Sequence, residues 1–198
     1  MQIVLRQFIV LVILAAGQYA KADLLILPGP GSIDVTNGKY VNGLIDEVNL
    51  GSRELSFSGN PFKFFGQNLP EIFIRENGTL NAPAVASNGD FYPKLLSDNT
   101  IDGIVLTPLW DDFRLLEGAG NIVYEEMTSN YYAVTWMDVR LFLSPSTVMS
   151  TQIAMFCAQT EIGGFTFLPN DIVFSYHSNN GDYTGLVAEG GLRNSNGT

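Results

Sequence analysis

Six Asn-Gly pairs, beginning at Asn37, Asn42, Asn77, Asn88, Asn180 and Asn196, cut this 198-residue chain into short segments. Both residue types tolerate the positive φ that tight hairpin turns require, so a chain punctuated in this way must reverse direction often. Between the pairs lie runs rich in β-branched and aromatic residues, at 72–75, 101–110, 121–127, 131–142, 151–158, 171–177 and 186–188. Such runs favour strands. No window carries an apolar stripe of 3.6-residue period over ten or more positions, which leaves helix a minor role. The expected fold is mostly β, with antiparallel sheets in a sandwich-like arrangement and little helix.

The longest run, 131–142, sets the expected layering. Strict alternation puts Tyr132, Val134 and Trp136 on one face and Ala133, Thr135, Met137, Val139 and Leu141 on the other. Both faces are apolar, as in a central strand covered on both sides. Trp110 and Trp136 are expected in the core. With 46% hydrophobic and 15% charged residues the chain has the material for that core. Residues 23–63 open with Leu27-Pro28-Gly29-Pro30-Gly31 and then carry Gly and Asn at short intervals. They read as a lead-in with one or two short edge strands, ahead of a main domain at 64–198.

Residues 1–22 read as a secretory signal. Arg6 supplies the positive start, 8–16 a short apolar run, and Ala20-Lys21-Ala22 the small residues of a cleavage site, so cleavage is expected after Ala22. The apolar run is shorter than the roughly 20 residues a membrane-spanning helix needs, and no later stretch could span. Removing 1–22 leaves 176 residues and, with Arg6 and Lys21 gone, 8 basic against 20 acidic groups, a charge of −12. That balance repels phosphate backbones and excludes nucleic acid as the expected partner. It serves solubility, or steers association with a basic matrix partner.

One cysteine and one histidine exclude an internal disulfide and a four-ligand zinc site, and no cofactor or metal is expected. Cys157 reads as a small buried thiol, with an intermolecular disulfide as the alternative. His177 ends an apolar strand, and no G-x-S-x-G elbow accompanies it. Gly29-Pro30-Gly31 lacks the third glycine and the following helix of a dinucleotide fingerprint. Carboxylates gather at Asp102, Asp111, Asp112, Glu117, Glu125, Glu126 and Asp138. Paired carboxylates could hydrolyse a glycosidic bond, and the Asp111-Asp112 corner could hold calcium, although its plainer role is to cap a turn. Asn77-Gly78-Thr79 and Asn196-Gly197-Thr198 are N-glycan sequons, making Asn77 and Asn196 the expected acceptors.

The segment 71–83 (EIFIRENGTLNAP), followed by 104–112 (IVLTPLWDD), 121–126 (NIVYEE), 133–139 (AVTWMDV), 151–156 (TQIAMF) and 171–176 (DIVFSY), resembles the NIDO domain. This is the extracellular module named for nidogen and found also in alpha-tectorin and mucin-4-like proteins. Pro108, Trp110, Asp112, Tyr124, Thr135, Trp136, Gln152, Phe174 and Tyr176 match the family pattern in order, and 185–191 resembles its closing stretch. The resemblance implies a noncatalytic module of matrix and cell-surface proteins, acting in cell-matrix adhesion through protein-protein contacts. It also implies further sequence beyond Thr198, so the domain is expected to be truncated at its C-terminus. The Cys-rich neighbours usual in the family are missing here, and no Arg-Gly-Asp tripeptide is present for integrin capture. The alternative expectation is a carbohydrate-binding or glycan-processing domain, with Tyr131, Tyr132 and Trp136 stacking on sugar near Asp138.

Overall fold

The computed structural model describes residues 24–45, 49–57, 60–69, 71–82, 103–142, 146, 148–178 and 189–193. Ala22, Asp102, Asn196, the Asn-Gly pairs at Asn88 and Asn180, and the expected strand at 186–188 lie outside them. In chain order the strands are β1 (Ile33–Asp34), β2 (Leu44–Ile45), β3 (Asn49–Glu54), β4 (Ser56–Phe57), β5 (Asn60–Phe64), β6 (Gln67–Leu69), β7 (Glu71–Arg75) and β8 (Leu80–Ala82). There follow β9 (Ile104–Trp110), β10 (Phe113–Leu116), β11 (Ile122–Met127), β12 (Tyr131–Leu141), β13 (Val148–Phe156), β14 (Thr160–Ile162), β15 (Phe165–Phe167), β16 (Ile172–Ser178) and β17 (Glu189–Arg193). No helix occurs among the described residues, and so none there is long and apolar enough to cross a membrane.

Two antiparallel sheets face each other. The larger runs β1-β11-β12-β13-β16, and the smaller runs β17-β9-β8-β7-β3. Their inner faces meet in one core that takes Ile72, Ile74, Leu80 and Leu106 from the smaller sheet and Val123, Tyr132, Val134, Trp136, Ile153 and Phe174 from the larger. Each large side chain so buried contributes about 1.5–3 kcal/mol. Residues of the lead-in join the same core through Val35, Ile45, Leu50 and Leu55. That stretch supplies β1 to β4 and most of β5, more strands than expected, and β1, β2 and β3 each lie at the end of a strand order.

The strict alternation expected for 131–142 holds only to Trp136. Val139 and Leu141 enter the same core as Tyr132, Val134 and Trp136 instead of facing away. A β-bulge between Trp136 and Val139 is the cause: Asp138 adopts φ +51°, and its N–H donates to Ser150 Oγ at 2.9 Å. One extra residue inverts the parity of everything after it. The same bulge lets one edge of β12 pair first with β11 and then with β10, which carries β2.

The outer face of the larger sheet is also covered, as the two-faced apolarity of β12 requires. Ala133, Ala154 and Val173 of β12, β13 and β16 form a second cluster with Phe156, with Phe167 of the β14–β15 hairpin, and with Ile26 of the lead-in. Phe156 and Phe167 stack with ring centroids 4.4 Å apart.

Three two-residue turns among the described residues have both φ values positive, as type I′ hairpins demand. They are Asn42-Gly43, Phe65-Gly66 and Gly163-Gly164. The first is an Asn-Gly turn of the expected kind. The second places a phenylalanine where Asn or Gly belongs.

Candidate functional site

The Asn77-Gly78 turn between β7 and β8 does not project from the molecule. Asn77 is 5% exposed, and its Oδ1 accepts the Phe113 N–H at 2.9 Å. The Gly78 carbonyl accepts from Thr107 Oγ1 at 3.0 Å, and Arg75 N–H donates to the Thr79 carbonyl at 2.9 Å. The turn plugs against the β9–β10 connection. Asn77 therefore holds the turn in place through its side-chain oxygen.

Among the described residues, several carboxylates of the middle segment are engaged, each with its own partners. Glu125 and Glu126, adjacent on β11, point to opposite faces of the sheet. Glu125 turns inward, 2% exposed, and takes Arg53 of β3 on both oxygens, at 2.6 Å from Nε and in a second, closer contact from Nη2. Tyr132 Oη donates to the same carboxylate at 3.1 Å. Glu126 turns outward and accepts from Tyr131 Oη at 2.5 Å and from Ser32 Oγ at 2.8 Å. Asp111 Oδ1 accepts the following Asp112 N–H at 2.7 Å, the turn-capping role. Burial pushes the Asp111 carboxyl upward, partly offset by that N–H. Glu117 is exposed, and Asp138 sits in the β12 bulge. Among the described residues no three His, Cys, Asp or Glu side chains come together to hold a metal.

Both tryptophans are buried, as expected, and Trp136 Nε1 donates to the Arg75 carbonyl across the core at 2.9 Å. Tyr132 is also fully buried. These two aromatics therefore present no face for sugar stacking. Tyr131 is half-buried and committed to Glu126. His177 is half-buried on β16 opposite Ser150. Cys157 is a half-buried free thiol whose Sγ donates to the Ser129 carbonyl at 3.3 Å, and burial raises its pKa, which lowers its reactivity.

A polar row missed by sequence reasoning crosses the outer face of the larger sheet. Tyr124, Thr135, Gln152 and Ser175 are direct register partners on β11, β12, β13 and β16. Gln152 lies at its centre, 1% exposed. Its amide accepts the Ile26 N–H at 3.1 Å and donates to the Ile26 carbonyl at 2.6 Å and to Thr135 Oγ1 at 2.7 Å. A long amide side chain at mid-strand, ahead of the apolar run Ile153 to Phe156, is the signal that could have marked it.

Tyr176 Oη, on β16, donates to the Pro108 carbonyl of β9 at 2.7 Å, a third polar tie between the sheets. Burial pushes this phenol up to about 12. Burial likewise raises Tyr132 well above its ordinary value, with the Glu125 charge adding to it. An unfolded tyrosine ionises near pH 10 while these keep their protons, so their stabilisation is complete below about pH 10 and is lost as pH rises toward 12. Urea unfolding across that range is expected to show falling stability, and Tyr176→Phe is expected to flatten the slope while costing about 1 kcal/mol at neutral pH.

No family model, curated protein or solved structure matches this chain.

Proposed function

We propose that this chain is a noncatalytic extracellular module that acts in cell-matrix adhesion through contacts with matrix or cell-surface proteins. The carrying observation is Phe65. It sits at the tip of the β5–β6 hairpin with φ +49°, a conformation that costs a bulky residue about 1–3 kcal/mol, and it remains 43% exposed. Backbone strain and solvent exposure of an aromatic are both unfavourable for the isolated chain, and a protein partner covering the ring offsets the second. The Lys63 N–H of this hairpin donates to Asn170 Oδ1 at 2.9 Å, which brings the hairpin to the loop holding Leu168, another exposed apolar side chain. The ordered series shared with the NIDO domain supports the same reading. Its segments fall on β7, β8, β9, β11, β12, β13 and β16.

The test is binding of the secreted, folded chain to cell-derived matrix, against a denatured control. Phe65→Asn restores the residue that a type I′ turn prefers. It is expected to stabilise the fold by about 1 kcal/mol and to weaken matrix binding. Unchanged binding by this variant would remove Phe65 from the contact surface, and no binding by the unaltered folded chain would remove the adhesion reading itself.

A further inference from the structure

We propose that residues 24–27 are a detachable strap, and that the groove beneath them accepts the same segment from a second copy of the chain. The groove is the row Thr135–Gln152–Ser175 together with the apolar cluster beside it. Its hydrogen bonds to the strap all go to backbone: Gln152 holds both the N–H and the carbonyl of Ile26, and Ser175 Oγ accepts the Leu25 N–H at 3.2 Å while donating to Gln152 Oε1 at 3.2 Å. An amide that satisfies the donor and acceptor of one residue recognises an extended backbone much as a neighbouring strand does. Specificity comes from the side pocket, where Ile26 packs among Ala133, Ala154, Phe156, Phe167 and Val173.

Little else retains the strap. Residues 24–27 form no ladder with any strand, and Leu27 is 70% exposed. Three backbone hydrogen bonds, the buried side chains of Leu24 and Ile26 and the partly buried Leu25 hold it without any ladder, so it belongs to the part of the fold that opens first. Pro28-Gly29-Pro30-Gly31 follows, and the chain is next fixed by Ser32 on Glu126 and by β1 on β11. Two prolines in that short linker restrict it, which reduces the entropy lost when the strap reaches across to a neighbour. Opening leaves the buried Gln152 amide without its backbone partner, a cost that a second copy's segment removes with the same bonds. This inference needs the fold alone and is independent of the adhesion reading.

The test is complementation between two full-length variants. Ile26→Asp ejects the strap and opens the groove, giving an acceptor; Gln152→Leu spoils the groove and loosens the strap, giving a donor. Each alone is expected to sediment as a monomer, and their mixture to form a one-to-one dimer that a peptide of residues 24–28 dissolves. The labelled peptide should bind the Ile26→Asp chain at least about tenfold more tightly than the Ile26→Asp/Gln152→Leu chain, the loss expected for its missing hydrogen bonds. Where Ile26→Asp fails to fold, Leu25→Pro, which removes the N–H held by Ser175, serves as the acceptor. A mixture that stays monomeric with both variants folded, or a peptide that binds with and without Gln152 alike, overturns the proposal.

Discussion

Gly78→Ala is expected to cost about 4 kcal/mol or more, enough to consume most of the stability of an ordinary domain. A Cβ built on Gly78 would lie 1.9 Å from the Leu109 carbonyl oxygen and 2.9 Å from Phe113 Cε2. The first contact is with backbone, and the second with a ring packed in the core, so neither yields cheaply. Gly43 provides the control, since it shares φ +79° with Gly78 but has nothing within 4 Å of its added Cβ. Gly43→Ala therefore carries only the conformational cost, about 1 kcal/mol. The difference in thermal or urea unfolding between the two variants measures the clash. In the same turn, Asn77→Ala leaves the buried Phe113 N–H without its acceptor and is expected to cost about 1–3 kcal/mol. Urea unfolding of that variant beside the original chain measures the loss. Similar losses for Gly78→Ala and Gly43→Ala would show that the turn is not pressed against β9 as described.

Local chemistry made the strands legible, and non-local chemistry decided the rest. The runs around 104–110, 122–127 and 172–178 were readable because β-branched and aromatic residues cluster between turn residues. The Asn42-Gly43 hairpin was readable for the same reason. The Phe65-Gly66 turn was not, because phenylalanine has no preference for positive φ and the hairpin overrides its propensity. The bulge at Asp138 left a faint trace: the large apolar residues switch from even positions at Tyr132, Val134 and Trp136 to odd positions at Val139 and Leu141. Extending one alternation through the aspartate concealed it. At Asn77 the Asn-Gly pair marked a turn but not that the turn is buried. Gln152 and Ile26 are 126 positions apart, and Arg53 and Glu125 are 72 apart, so no window along the chain contains either pair.

That last pair carries the second large expectation. Arg53→Met is expected to destabilise the fold by about 3–5 kcal/mol, because it removes both guanidinium contacts from a carboxylate that remains inside the protein. The cost should fall toward the lower end of that range, since the Arg53 side chain is itself 42% exposed and water can enter where it leaves. Glu125 would retain Tyr132 Oη, a neutral donor at 3.1 Å, which satisfies one lone pair but not the charge. Arg53 stands on β3 and Glu125 on β11, so the loss falls on the contact between the two sheets and not on either ladder. The double variant Arg53→Met/Glu125→Leu removes the stranded charge and fills its place with apolar volume. It is expected to recover most of the single-variant loss, as replacement of buried ion pairs by hydrophobic groups commonly does. Urea unfolding of the single and double variants decides the point. A single variant within about 1 kcal/mol of the original would place this ion pair with exposed surface bridges, and failure of the double variant to recover would mean that the guanidinium acts mainly by packing its stem between the sheets.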